Sequence, residues 1–246
     1  MRISLKPDYE SVSRKTAQLI VRKILTKNRL VLGLPTGDTP KRMYEILVDY
    51  HSRGLVDFSG VTTFNLDEYY PISRGDPKSF RHYMDQRLFD KVNLSPRRTN
   101  VPDGTLDRVE VGSYCEKYER KISEAGGIGL MVLGIGENGH IGFNEPGVDF
   151  ATNTRLVDLK RRTIESNFDE PDQSPDEAIT MGIKTIMNAR EIILMAAGRK
   201  KRKAIEMSLS GTITNEWPAS VLQLHPNVSV ILDGEAGEGL PDEKTA

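Results

Sequence analysis

Five short apolar runs limit what this chain can become: residues 30–34, 61–65, 129–133, 191–196 and 228–232. Each is too short for an ordinary helix and rich in β-branched or large aliphatic side chains. Continuous rather than alternating hydrophobicity marks strands buried on both faces. Stretches with helical character lie between them. Residues 8–26 open with Asp8, residues 40–50 place Met43, Ile46 and Leu47 on one side, and similar stretches fall at 79–89, 107–124, 175–187 and 200–209. Strands separated by helices predict a parallel sheet with right-handed crossovers. The expected fold is therefore α/β: a doubly wound, mostly parallel sheet with helices on both faces, Rossmann-like, in a single domain. That domain is expected over 1–233, with a lid candidate within 148–190. The acidic stretch 165–177 carries two prolines and reads as a mobile loop or lid edge. Residues 234–246 read as a polar, poorly ordered tail.

Sheets of this kind bind ligands beyond the carboxyl ends of their strands. Four segments occupy that place in the pattern: 35–39, 66–70, 134–147 and 197–201. The ligand class is narrowed by charge. Lys plus Arg number 34 against 35 Asp plus Glu, so nothing in the overall balance favours nucleic acid or a membrane surface. No run approaches the ~20 apolar residues of a membrane span, and no leader of signal length opens the chain. A cytoplasmic protein is expected. The single cysteine, Cys115, excludes an intrachain disulfide and reads as a structural thiol. The four histidines are far apart and no cysteine pair exists, so no metal site is expected.

Segment 33–40 runs from a strand through a Gly/Thr turn into a helix with Pro40 in its first turn. Free N–H groups and the helix dipole favour a phosphate there. Asp38 in that turn would repel such a ligand unless it points away or caps the helix. Asp67 and Glu68 follow a strand directly. Neighbours on an extended chain face opposite ways, so one carboxylate can face the cleft as a general base while the other meets a neighbouring element. Segment 134–147 contains a formal G-x-G-x-x-G at Gly134, Gly136 and Gly139, but the residues after Gly139 do not open a helix, as a dinucleotide fingerprint requires. Its glycines instead permit close backbone approach and display His140, Asn144 and Glu145 together. A histidine with a carboxylate five residues on suits a proton shuttle. In the basic run 199–203, a cation at the helix start can clamp a phosphate.

These residues resemble the glucosamine-6-phosphate deaminase (isomerase) family. The resemblance rests on 34–37, 65–69, 136–147 and 218–226, in matching order and spacing, with 102–104 and 181–183 also similar; it spans about residues 1–233. It implies a reaction without metal or cofactor on a small sugar phosphate. His140, assisted by Glu145, opens the sugar ring. Asp67 takes the C2 proton and returns it at C1. Loss of ammonia from the resulting enolamine gives fructose 6-phosphate. Asn138 stands where many relatives carry Asp and can orient His140 by hydrogen bonding. The phosphate grip carries over to Thr36, Gly37 and Thr39, with Lys201 as the lysine after the Gly198 turn; Gly136 and Gly139 are further substrate-contact candidates. Where the family has an arginine after a T-x-x-x-N pattern, Thr163 and Asn167 are followed here by Phe168 and Asp169, so that phosphate contact is missing or is supplied by another residue such as Arg161 or Arg162. A galactosamine-6-phosphate isomerase, a 6-phosphogluconolactonase and a non-catalytic sugar-phosphate sensor are the competing readings. The family includes hexamers and simpler forms, so a homo-oligomer is compatible with the resemblance.

Overall fold

A computed structural model describes residues 1–27, 29–161, 163–164 and 174–240. Its centre is a parallel sheet of β1 (Arg2–Lys6), β2 (Leu30–Leu34), β3 (Val61–Asn65), β5 (Thr99–Asn100), β6 (Leu130–Leu133), β9 (Ile192–Ala196) and β10 (Val228–Asp233), in the order β1-β10-β9-β6-β2-β3-β5. The five apolar runs are its five inner strands. Helices α1 (Tyr9–Thr26), α2 (Lys41–Ser52), α3 (Phe80–Arg87), α4 (Val111–Glu124), α5 (Ile183–Met187) and α6 (Arg202–Leu209) complete the α/β fold. Two apolar clusters cover its faces. One gathers α1 and α2 residues such as Ile20, Met43 and Leu47; the other joins Tyr118 of α4 to Ile186 of α5 and Ile205 of α6. The start of α1 is fixed by Asp8, whose side chain accepts from Ser11 N–H at 2.7 Å, the N-cap arrangement that satisfies an orphan donor.

Strand order reverses direction between β2 and β6, which pair directly. Such a switch point opens a crevice at the carboxyl ends of the strands. The loops after β2, β3, β6 and β9 belong to four adjacent strands, so the segments 35–39, 66–70, 134–147 and 197–201 lie along one edge.

A second sheet departs from expectation. β4 (Asp67–Tyr70), β8 (Glu177–Thr180) and β7 (Arg155–Asp158) form an antiparallel sheet in that spatial order. Residues 66–70 had read as a loop, and 175–187 as one helix. Instead the chain forms β8, breaks at Gly182, and only then enters the short α5. Any side chain at Gly182 would strike Thr152 O at 2.1 Å, so the chain must cross itself there. Leu66 carries the chain from one sheet to the next: its N–H donates to Leu34 O at 3.3 Å and its carbonyl accepts from Met181 N–H at 2.7 Å. The lid candidate 148–190 thus includes two strands of a built sheet, while residues 165–173, with Asn167, Phe168 and Asp169, lie outside the described residues, as does Arg162.

Part of the expected tail, 234–240, packs back on the sheet. Ala236 is buried, and its N–H donates to Asp233 Oδ1 at 2.8 Å; residues 241–246 lie outside the described residues. Cys115 is buried and unpaired, and burial pushes its thiol up to about 11. Among the described residues no helix is long and apolar enough to cross a membrane.

Candidate active site

The change of sheet at Leu66 gives the two adjacent carboxylates opposite surroundings. Glu68 turns toward α3. It accepts from Ser79 Oγ at 2.7 Å, from Phe80 and Arg81 N–H at 2.8 Å each, and from Tyr69 N–H at 2.9 Å. It therefore satisfies orphan donors at a helix start, where a negative charge is favoured. Asp67 is 6% exposed and accepts no hydrogen bond from the described residues. Burial, with the neighbouring charge of Glu68, pushes its carboxyl up to about 8. A carboxylate so placed lacks the donors that stabilise its charge and binds a proton readily.

The loop after β6 closes on itself. Gly136 N–H donates to His140 O at 2.9 Å and Gly139 N–H to Gly136 O at 3.0 Å. Both donors are thereby spent within the loop, so neither glycine offers its N–H to a substrate. Their work is spatial. A Cβ on Gly136 would lie 2.3 Å from Cε1 of His140; the imidazole rests on the bare backbone. Gly139 has φ +83° and packs under Trp217, where its carbonyl also accepts from Ala219 N–H at 2.9 Å. The 3-10 turn Pro218–Leu224 thus buttresses the loop from behind.

His140 Nδ1 is buried and lies 3.3 Å from Glu145 Oε1. The contact has ion-pair distance without hydrogen-bond alignment. Because Nδ1 is the buried nitrogen of a side chain 26% exposed, the opposite edge of the ring is the one open to the cleft. Glu145 is held firmly: Thr163 Oγ1 donates to Oε1 at 2.7 Å and Asn138 Nδ2 to Oε2 at 2.6 Å. Burial raises the Glu145 carboxyl, but His140, Thr163 and Asn138 outweigh it and hold the group at about 2. Asn138 therefore orients Glu145, touching His140 only through its backbone N–H at 3.2 Å. Asn144 is architectural: it donates to Ile141 O and Met181 O at 2.8 Å each and accepts from Arg155 at 3.0 Å.

Asp67 and this loop meet through β8. Thr180 pairs with Asp67 in the second sheet, and its hydroxyl accepts from Phe143 N–H at 3.1 Å. Gly142 leaves Asp67 Oδ2 3.5 Å from where a Cβ would stand.

The turn after β2 presents the N–H groups of Thr36, Gly37, Asp38 and Thr39, none of which donates to a described residue. Consecutive free N–H groups make an anion cradle. Asp38 points away, 93% exposed, with its carboxylate 2.5 Å from Lys41 Nζ. It does not cap α2, whose N-cap is Pro40. Lys201 is half-buried and forms no ion pair among the described residues. Burial pushes its ammonium down, and the fields of Glu137 and Asp38 oppose the shift. Arg161 is exposed. The described residues contain no cluster of three His, Cys, Asp or Glu able to hold a metal.

Two participants were not legible as such in the chain: Thr163, whose hydroxyl reaches Glu145, and Thr180, which ties the loop to the strand of Asp67. Each lies remote in sequence from its partner, so no local pattern announces it.

Residues 8–231 match the family of glucosamine-6-phosphate isomerases/6-phosphogluconolactonase, and the chain belongs to it. It is 47% identical over 243 residues to a glucosamine-6-phosphate deaminase of Clostridium botulinum (strain Kyoto / Type A2), covering 98% of this chain and 99% of that one. A glucosamine-6-phosphate deaminase of Halothermothrix orenii is 47% identical over 239 residues, covering 96% and 98%. Among solved structures, a monomeric glucosamine-6-phosphate deaminase superposes with a TM-score of 0.93 at 39% identity, covering 96% of this chain and 99% of that one. The 6-phosphogluconolactonase of Trypanosoma brucei shares the fold, with a TM-score of 0.80 at 21% identity, covering 97% and 98%.

Proposed function

We propose that this chain is an enzyme converting glucosamine 6-phosphate and water into fructose 6-phosphate and ammonia. The observation that carries the reading is Asp67: a buried carboxylate without donors among the described residues, on the strand that β8 ties to the His140–Glu145 loop. Similarity to deaminases at 47% identity over nearly the whole chain favours this reaction over lactone hydrolysis.

The four N–H groups of 36–39 and Lys201 hold the phosphate. His140, with Nδ1 facing Glu145, moves the proton between the C1 hydroxyl and the ring oxygen, and the ring opens to the aldehyde. Asp67 removes the C2 proton; its electron pair forms the C1–C2 double bond while the carbonyl pair moves to O1, which takes a proton from the C2 ammonium, giving the neutral enolamine. Return of the proton to C1 leaves an iminium at C2. Water adds there and ammonia departs, so atoms and charge balance. A base moving one proton between adjacent carbons needs position above all. The ammonium that the substrate carries at C2 favours the charged form of Asp67 and lowers its pKa on binding. The base is thereby activated by the substrate it acts on.

The reading carries a cytoplasmic location, where hexosamine 6-phosphates are metabolised. Self-association to a homo-oligomer is open to light scattering. The deciding test is release of ammonia and ketose phosphate from glucosamine 6-phosphate, with galactosamine 6-phosphate in parallel and chelator present. Turnover of the gluco epimer is expected. Preferred turnover of the galacto epimer would correct the substrate, and binding without turnover would replace the enzyme by a sensor.

A further inference from the structure

A cavity of about 340 Å³ lies on the far side of Glu68, walled by β4, α3, α4 and the segment around β5. Its size falls within the range of small-molecule sites. Four cations line it, each from a different part of the chain: Arg74 from the loop after β4, Arg81 from α3, Arg97 from the 3-10 turn Pro96–Arg98, and Lys121 from α4. Against them stand two carboxylates, Glu68 and Asp103. Glu68 is already saturated by its four donors. Asp103 is shared between Arg74, at 2.8 Å, and the hydroxyl of Thr105, at 2.7 Å. Arg81 is paired with Asp85 at 2.9 Å, outside the cavity wall. Arg97 and Lys121 have no carboxylate partner among the described residues. Cations scattered on a surface are ordinarily solvated, but cations converging from four elements on one concavity keep an uncompensated positive field there.

We infer that this cavity is a second anion site, separate from the cleft, that takes a small phosphate-bearing molecule. Guanidinium groups match phosphate oxygens in pairs, and an ammonium adds a point charge. A nucleic acid is the wrong shape for a concavity of this size, and the chain as a whole carries a formal net charge of −1. The inference does not rest on the reaction assigned to the cleft.

Inorganic phosphate is the probe, titrated into the full chain at constant ionic strength while backbone amide resonances are followed. The amides of Asn100, Val101 and Gly104 report this cavity, and the amide of Gly37 reports the cleft in the same titration. Saturable shifts at the first three are expected. The double variant Arg97→Glu/Lys121→Glu should weaken them at least tenfold, with the Gly37 response and turnover unchanged. Both substituted side chains are exposed, so folding should survive; Lys121→Glu alone should give an intermediate loss. Shifts that fail to saturate, that persist in the double variant, or that sodium chloride reproduces at equal ionic strength would overturn the site.

Discussion

Asp67 and Glu145 are both buried carboxylates, yet their surroundings treat them oppositely. Asp67 receives no hydrogen bond from the described residues and its carboxyl rises to about 8. Glu145 receives Thr163 and Asn138, faces His140, and falls to about 2. Burial acts in the same direction on both; donors decide the difference. One environment makes a group that wants a proton, the other a fixed negative charge that holds an imidazole in place. The pair shows how one fold holds one buried carboxyl protonated and another ionised at a single pH.

The largest effect should come from Asp67→Asn. With the proposed base gone, exchange of the C2 proton with solvent should fall about 1000-fold or more. The same variant should melt at a higher temperature than the parent at pH 8. The folded pKa of Asp67, about 8, lies above the ordinary value of 3.8, so between those values the folded state binds a proton that the unfolded state releases, and stability declines as pH rises through that window. The neutral amide removes the decline. Parallel melts at pH 5 and pH 8 check it; an unchanged pH dependence would show that Asp67 is not held protonated.

His140→Gln should reduce turnover about 100-fold by slowing ring opening. Ring opening would then limit the rate, so the primary isotope effect with substrate deuterated at C2 should shrink toward unity. A full isotope effect in the slowed variant would reassign the histidine to the C2 step.

Glu145→Gln sharpens the comparison in stability. The folded pKa of Glu145, about 2, lies below the ordinary value of 4.5, so its contribution is present above the unfolded value and is lost as pH falls through the folded one. An uncharged amide facing Asn138 Nδ2 cannot satisfy all the same donors, and a loss of about 1–3 kcal/mol is expected at neutral pH. Urea denaturation at pH 7 and pH 3 should show that loss narrowing with acid.

The smallest effect belongs to Thr163→Val. It removes one charge-assisted hydrogen bond to the Glu145 carboxylate, worth about 1.5–3 kcal/mol, and should lower kcat several-fold with little change in KM. Equal change in both constants would place Thr163 in substrate binding rather than in positioning Glu145.

The five inner strands were legible because burial on both faces demands continuous apolar runs. β1 escaped because its edge position leaves Arg2 and Lys6 at the ends of a short run, and β5 because it has only two residues. β7 and β8 escaped for another reason. Their pairing partners are non-local: β8 is matched by β4 and β7 together, and the apolar residues of 177–180 alone fit a helix as well as a strand.

The chain by itself determined the α/β alternation and the four segments beyond the strand ends, and it singled out Asp67, His140 and Glu145 within them as candidates, because strand burial and glycine-rich turns leave local patterns. Tertiary structure alone decided that Asp67 stays without donors among the described residues, that Glu68 is spent on α3, that Gly136 seats an imidazole and that Thr163 holds Glu145. Those facts set the proton affinity of each carboxylate, and proton affinity depends on which distant groups come within a few ångströms. No local spacing records that.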